Sequence, residues 1–163
     1  MVQLTIWDAS AISRITSDHL DQEGALLPAL HSIQAEFGHI PADCVGQIAE
    51  IFNVSVAEVH GVISFYPFFR SSPPGRFIIQ ICRAESCQSM GSRALERHAK
   101  AVLGVDYHQT SADGEFTLEP VYCLGNCACS PSVRVGTKIF SYVDSARFDC
   151  LIDELQTNIL ELK

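Results

Sequence analysis

Two short stretches of the sequence carry closely spaced cysteines: Cys82–Cys87, with the sequence CRAESC, and Cys123–Cys127, with the sequence CLGNC. Each stretch places two thiols on what is predicted to be a short loop. An iron–sulfur centre with two bridged irons needs four thiolates, two for each iron. Loops suit this role because a regular helix or strand cannot aim neighbouring side chains at one point from several directions. The two stretches therefore predict a shared metal centre, provided that the fold brings them together.

The residues alone leave other uses of these cysteines open. A structural zinc site also uses two close cysteine pairs, so spacing does not exclude zinc. A dithiol–disulfide enzyme expects a C-x-x-C motif, and the sequence contains none. Cys129 lies two residues after Cys127 and is an alternative source of the fourth thiolate. Cys44 and Cys150 fall on predicted helices away from both stretches, and their simplest interpretation is as plain buried cysteines.

The pattern around both stretches predicts alternating strands and helices. In order, we expect a strand over 77–81, a helix after Gly91 with Leu95, Ala99 and Val102 facing inward, a strand over 116–121, a hairpin around Gly136-Thr137, and a closing helix that carries Phe148, Leu151, Ile152, Leu155 and Ile159. This order is typical of an α/β layer architecture. Both cysteine stretches follow strands, and sites in such folds are built beyond strand ends. Adjacent strands would therefore bring the two stretches together.

The first 70 residues show helical periodicity instead. A short helix is predicted from Asp8, its candidate N-cap, to about His19, followed by an amphipathic helix that begins near Leu26 and is ended by Gly38. A further helix follows Pro41, and the S-x-x-E capping box at Ser55 opens another. The proline- and glycine-rich segment 71–75 forbids regular structure. We therefore predict an N-terminal helical module over 1–72 and a second domain over 73–163.

Composition excludes several classes of function. The chain has 163 residues and a formal net charge of −8, with 11 Lys and Arg against 19 Asp and Glu. It therefore offers no basic surface for nucleic acid or anionic membranes. No apolar run approaches the roughly 20 residues of a membrane-spanning helix. There is also no G-x-G-x-x-G loop and no P-loop, so nothing in the chain looks catalytic by itself.

The expected compartment is the cytoplasm. Residues 1–10 carry Asp8 and neither Lys nor Arg, which argues against a secretory signal or an Arg-rich transit peptide. The seven cysteines are then expected to be reduced. Spaced cysteines in a reducing compartment mark metal or redox chemistry more often than disulfides.

The cysteine pattern resembles the thioredoxin-like 2Fe-2S ferredoxin family. The resemblance rests on C-x4-C, a long gap, and C-x-G-x-C followed by a proline, matched by Cys123, Gly125, Cys127 and Pro131. It implies a thioredoxin-like domain that holds one 2Fe-2S cluster. Cys82 and Cys87 would bind one iron and Cys123 and Cys127 the other. Cys129 would then be an extra residue.

Two further stretches are similar to the gamma subunit of soluble NAD-dependent formate dehydrogenase. They are His60–Tyr66, HGVISFY, and Cys82–Gly91, CRAESCQSMG. This resemblance implies a non-catalytic electron-transfer subunit in a hetero-oligomer. Its partners would be a flavin subunit that binds FMN and NAD, and a large iron–sulfur subunit that contains molybdenum or tungsten. The equivalent subunit of complex I or of an NAD-linked hydrogenase is the alternative, and a binding module stapled by zinc is the alternative of a different class.

Three smaller features carry expectations of their own. The aromatic run over 60–69 is either a hydrophobic plug inside the protein or a surface that faces a partner. Gly91 and Gly125 are positions where the backbone would pass close to the cluster or adopt positive φ. Backbone N–H groups of both cysteine stretches are expected to hydrogen-bond the cluster sulfurs. Arg83 is either a further such donor or a solvated residue.

Overall fold

The computed structural model describes residues 8–161, and the side chains of residues 8–157. The chain divides into two compact units, the first ending at Pro74 and the second beginning at Gly75. This division falls in the proline- and glycine-rich segment in which the sequence predicts a break. Whether 1–72 and 73–163 are independently folding domains stays a prediction.

The first unit is helical. Its helices are α1 (Ala9–Ser17), α2 (Leu26–Phe37), α3 (Val45–Phe52), preceded by a 3-10 turn over Ala42–Cys44, and α4 (Val56–Phe65). Asp8 caps α1 by accepting a hydrogen bond from the backbone N–H of Ala11 at 2.7 Å. Ser55 and Glu58 form both hydrogen bonds of the predicted capping box at the start of α4. Gly38, in the left-handed conformation, ends α2.

The helices of the first unit enclose their own hydrophobic core. Ile12, Leu30, Ile33, Phe37, Ile48 and Val59 are among its most deeply buried members. Gln34 ties the segment after α4 to this core, because its amide donates to the carbonyl of Phe68 and accepts from the backbone N–H of Arg70. The unit therefore has a packed interior of its own.

The second unit combines a five-stranded sheet with helices. Its elements are β1 (Phe77–Cys82), α5 (Glu85–Ser89), α6 (Ser92–Leu103), β2 (Gln109–Thr110), β3 (Phe116–Val121), a 3-10 turn (Cys127–Cys129), β4 (Val133–Val135), β5 (Lys138–Phe140) and α7 (Ser145–Glu161). The strand order is β2-β3-β1-β4-β5, with β1 and β3 parallel and the other neighbours antiparallel. The predicted α/β architecture is confirmed. Gly136, at the β4–β5 turn, has a φ of +58°, as a type II′ turn requires at its first central position.

A second hydrophobic core fills this unit. Ile79 and Ile81 of β1 and Leu118 of β3 are fully buried, as is Phe148 of α7. Helices α6 and α7 contact each other, and α6 also contacts β1. Strand β1, anchored in this core by Ile79 and Ile81, therefore ends at Cys82.

The structure corrects several details of the sequence interpretation. Cys87 lies within the short helix α5, and Cys127 begins a 3-10 turn, so neither cysteine stretch is a simple loop. Val102 is 46% exposed, whereas its neighbour Leu103 packs against the core. Strand β2 has no clear signal in the sequence because it is only two residues long. The side chain of Ile159, expected on the apolar face of α7, lies outside the described residues.

In residues 8–161, no single helix has both the length and the apolar character needed to cross a membrane. One pair of consecutive helical segments, Ala42–Phe52 and Val56–Phe65, reaches that threshold together by length and composition, with a bend of 118° between them.

Cys44 and Cys150 differ in a way that thiol labelling will detect. Cys44 is buried, and this burial raises its pKa to about 11. At about pH 8, therefore, only about one Cys44 side chain in a thousand is the reactive thiolate. Cys150 is exposed, contrary to the expectation of a buried residue. We expect iodoacetamide to modify Cys150 in the folded protein and to modify Cys44 only after unfolding, as read by mass spectrometry of digests. Equal labelling rates in the native state would contradict the burial of Cys44.

Candidate metal centre

The two cysteine stretches leave the sheet side by side. Strands β1 and β3 are parallel neighbours, and their register pairs Cys82 with Val121. Parallel strands that end together send their following segments out from the same edge of the sheet. The expectation that adjacent strands would bring the stretches together is therefore confirmed.

The four thiols meet as two pairs. The sulfurs of Cys123 and Cys127 are 3.8 Å apart, and those of Cys82 and Cys87 are close enough to interact. Tetrahedral coordination with metal–sulfur bonds of about 2.3 Å places two sulfurs about 3.8 Å apart. Cys127 also interacts electrostatically with Cys87 of the other pair. The donor set thus fits a centre with two thiolates on each of two irons.

In the described residues, the two cysteine pairs do not merge into a larger group of metal-ligating side chains. In the part of the chain that the structure describes, no three His, Cys, Asp or Glu side chains form a group that could hold a metal ion. The thiols are grouped in twos.

Polar contacts join the two stretches directly. The Ser86 hydroxyl donates to the Cys127 carbonyl oxygen at 2.9 Å, linking α5 to the 3-10 turn. The Ser130 hydroxyl donates to the same carbonyl oxygen at 2.9 Å and lies 3.4 Å from the sulfur of Cys87. The Cys87 segment is thereby held against the Cys127 segment. Sequence reasoning did not find either serine, because no local pattern marks a contact between residues more than 40 positions apart.

Backbone N–H groups point at the sulfurs. The N–H of Gly125 donates to the Cys123 sulfur at 3.3 Å. The Cys82 sulfur receives N–H groups from Ala84 in its own stretch and from Leu124 in the other. Such donors stabilise negative charge on thiolates and on the cluster that they bind.

Two of the four thiols, those of Cys82 and Cys127, have a pKa raised above that of an ordinary cysteine. Burial raises the pKa of Cys82, and a smaller contribution in the same direction comes from Cys87. The hydrogen bond with Cys123 raises the pKa of Cys127. Metal binding requires thiolates, so assembly of the centre must release these protons.

The two pairs differ in their access to solvent. Cys82 and Cys87 are each 2% exposed, whereas Cys123 and Cys127 are exposed. Large apolar side chains are also exposed in and beside these segments, namely Met90, Tyr122 and Tyr142. The Tyr142 hydroxyl donates to the Ala128 carbonyl oxygen, next to Cys127, at 3.5 Å. One side of the site is therefore packed in the protein, and the other presents cysteines among apolar groups.

Unusual backbone conformations help to shape the site. Gly91 and Gly125 have φ values of +99° and +73°, as expected for these two positions. Cys123 has a φ of +148°, which an L-residue rarely adopts. Non-glycine residues in such conformations store strain and cluster at functional sites. No residue type in the sequence announces the conformation of Cys123.

Arg83 has a partner of its own. Its Nε donates to a carboxylate oxygen of Glu96 at 2.8 Å, and its guanidinium lies 5.2 Å from the centre of the Tyr107 ring. Glu96 is buried, and its hydrogen bond raises the pKa of Arg83. Arg83, the residue after β1, therefore joins the end of this strand to α6, which neither sequence interpretation of this residue anticipated.

Cys129 is turned towards a different group. It is half-buried, and its side chain is within hydrogen-bonding reach of Tyr142, which raises the tyrosine pKa. Its backbone N–H donates to the Asn126 carbonyl oxygen at 3.0 Å. Cys123 pairs with Cys127 in this structure, while Cys129 contacts the tyrosine.

A parallel βαβ arrangement that gathers two cysteine pairs at the ends of its strands defines a thioredoxin-like iron–sulfur protein. Sequence comparison agrees at the level of the family. The chain belongs to the thioredoxin-like [2Fe-2S] ferredoxin family, whose model matches residues 12–156. Membership implies a 2Fe-2S cluster on this chain.

Relatives in this family are subunits of larger complexes. The chain is 38% identical over 136 residues to a subunit of the NADH-quinone oxidoreductase of Rhizobium meliloti strain 1021, covering 83% of this chain and 81% of the relative. It is 32% identical over 133 residues to the HndA subunit of the NADP-reducing hydrogenase of Solidesulfovibrio fructosivorans, covering 82% and 78% respectively.

A solved structure shares the fold. The air-oxidized NAD+-reducing [NiFe]-hydrogenase superposes with a TM-score of 0.67 at 27% identity, over 82% of this chain. The present chain spans 23% of that longer chain, so the similarity concerns one part of it.

Substitution of the proposed ligands separates them from the other cysteines. We expect Cys82→Ser, Cys87→Ser and Cys123→Ser each to lose most of the bound iron and the visible absorbance, because an iron without its thiolate is held poorly. Iron, acid-labile sulfide and absorbance of anaerobically purified protein provide the measurement. Cys44→Ser and Cys150→Ser are the matched controls, and a bleached Cys150→Ser protein would refute the assignment.

The fourth ligand is tested by a second pair of variants. Because Cys127 pairs with Cys123 and Cys129 contacts Tyr142, Cys127→Ser should lose the iron and Cys129→Ser should keep it. Iron content and the electron paramagnetic resonance (EPR) spectrum of the reduced protein give the answer. If Cys127→Ser kept part of the cluster and the Cys127→Ser/Cys129→Ser double variant lost it, Cys129 would be shown to replace Cys127 as a ligand. The reverse pattern would assign Cys129 as the native ligand.

Proposed function

We propose that this chain is an electron-transfer subunit that holds one 2Fe-2S cluster through Cys82, Cys87, Cys123 and Cys127. The observation that carries the proposal is the meeting of two cysteine pairs at the ends of the parallel strands β1 and β3. The cluster supplies one-electron chemistry, and the residues of the chain bind it and set its surroundings. Backbone N–H groups of Ala84, Leu124 and Gly125 stabilise the negative charge that accompanies reduction.

The grouping of the thiols favours a binuclear cluster over a single zinc ion. A structural zinc site closes four ligands around one ion. Here the sulfurs form one buried and one exposed pair, which suits two metals that each take two thiolates. Family membership supports the same assignment.

We propose a flavin subunit that binds FMN and NAD as the redox partner. The exposed pair, Cys123 and Cys127, lies on the side of the site where electrons can enter or leave over a short distance. Met90, Tyr122 and Tyr142 provide exposed apolar area in and beside the cysteine segments, as protein interfaces often do. A one-electron carrier placed there would complement the two-electron chemistry of the flavin.

For the parent complex we propose a soluble, cytoplasmic NAD-dependent formate dehydrogenase. The support is the pair of stretches HGVISFY and CRAESCQSMG, whose likeness is to its gamma subunit. A large subunit with molybdenum or tungsten would then oxidise formate. The second candidate is the equivalent subunit of complex I or an NAD-linked hydrogenase, and the names of the relatives from Rhizobium and Solidesulfovibrio favour it.

The cluster is tested on the isolated chain. Anaerobically purified protein should contain about two irons and two sulfides per chain, show visible absorbance, and give an EPR signal after reduction with dithionite. A colourless protein that contains zinc would exclude electron transfer and support the zinc-stapled binding module instead.

The parent complex is tested in the native host. A chromosomal affinity tag on this chain should copurify a flavin subunit and a molybdenum- or tungsten-containing subunit, and the preparation should reduce NAD+ with formate. Assays with H2 and with NADH and a quinone are run on the same preparation. Activity in either of these assays without formate oxidation would assign the chain to complex I or an NAD-linked hydrogenase instead of formate dehydrogenase.

A further inference from the structure

Two serine hydroxyls lie between the cysteine segments, and one of them reaches a proposed cluster ligand. The Ser86 and Ser130 hydroxyl oxygens are 2.9 Å apart, and each is 2.9 Å from the Cys127 carbonyl oxygen. The Ser130 oxygen is also 3.4 Å from the Cys87 sulfur. These four groups form one connected hydrogen-bond network inside the second unit.

Burial makes these contacts consequential. Ser130 is 3% exposed and Cys87 is 2% exposed, while Ser86 is half-buried. Water therefore has little access to the contact between Ser130 and Cys87. A hydrogen bond in such surroundings is electrostatically stronger than one at the surface.

A count of protons shows how this hydrogen-bond network changes when metal binds. With a free thiol, Cys87 donates to the Ser130 oxygen, and the Ser130 hydroxyl donates to the Cys127 carbonyl. A thiolate has no proton to donate and can only accept. Two acceptors then remain, the Cys87 sulfur and the Cys127 carbonyl oxygen, and the two available donors are the hydroxyls of Ser86 and Ser130. Because Ser86 can donate to the carbonyl oxygen, Ser130 is free to donate to the sulfur.

We propose that Ser130 is a positioning residue whose hydroxyl donates a hydrogen bond to the Cys87 thiolate and raises the reduction potential of the centre, with Ser86 directing that proton. The inference rests on the proposed function, because it requires Cys87 to be a cluster ligand. Reduction adds one electron and its negative charge, and a donor to a ligand sulfur stabilises that charge. Ser130 keeps its proton throughout.

The test measures the midpoint potential of the full-length protein by EPR-monitored titration with dithionite as reductant. We expect Ser130→Ala to retain the cluster with an equilibrium constant for reduction about tenfold smaller, a shift of about 59 mV to lower potential for one electron. Ser86→Ala leaves one proton for two acceptors and should give a smaller shift in the same direction. Ser89→Ala is the control, since Ser89 is exposed and its hydroxyl donates to the Ser86 carbonyl oxygen at 2.8 Å.

A spectroscopic readout identifies the hydrogen bond itself. After exchange into D2O, pulsed EPR of the reduced wild-type protein should show one coupled deuteron beyond those of the backbone N–H groups, and this coupling should be absent in Ser130→Ala. A purely structural serine would not produce this signal. If Ser130→Ala failed to assemble, Ser86→Ala would still decide: a lowered potential supports the proposal, and an unchanged one overturns it.

The outcomes separate this inference from the proposed function. Wild-type protein purified without iron and sulfide would overturn both the electron-transfer assignment and the proposed role of Ser130. Wild-type protein with a 2Fe-2S cluster, together with Ser130→Ala at the wild-type potential and with the same deuteron coupling, would overturn the role of Ser130 alone.

Discussion

In-register parallel pairing of β1 with β3 is the constraint on which the site depends. Because Cys82 lies opposite Val121, the two following segments start from the same edge of the sheet. A shift of the register by one residue would turn every side chain of the shifted strand to the other face of the sheet. The buried residues Ile79, Ile81 and Leu118 oppose such a shift, since each would leave the hydrophobic core. Core packing in the sheet therefore fixes where the thiols meet.

Burial and exposure divide the site into two functional sides. Cys82 and Cys87 belong to the protein interior, where backbone N–H groups reach the Cys82 sulfur and the Ser130 hydroxyl lies beside the Cys87 sulfur. Cys123 and Cys127 are exposed and are held by a strained backbone at Cys123. In the function that we propose, the low-dielectric side would stabilise added charge through fixed donors, and the accessible side would allow electron exchange with a partner. One arrangement of four cysteines meets both requirements.

Local patterns predict most of the elements and fail where several positions satisfy the same pattern. Helical periodicity admits either Val102 or Leu103 on the inner face of α6, and tertiary packing selects Leu103. The prediction of a buried Cys150 is wrong, because the buried face of α7 is formed by Phe148, Leu151 and Ile152, and Cys150 lies off it. Periodicity alone could have placed that residue correctly. The helix that carries Cys87 is too short to leave a periodic signal.

The sequence by itself determined the two cysteine stretches, the strands that precede them, the helix caps at Asp8 and Ser55, and the family. These features depend on residues close together in the chain, so spacing and residue type record them. Only the tertiary structure decided that Cys127 pairs with Cys123 while Cys129 contacts Tyr142, that Ser130 reaches Cys87, and that Glu96 binds Arg83. Those contacts depend on how distant segments pack, and no local pattern encodes that geometry.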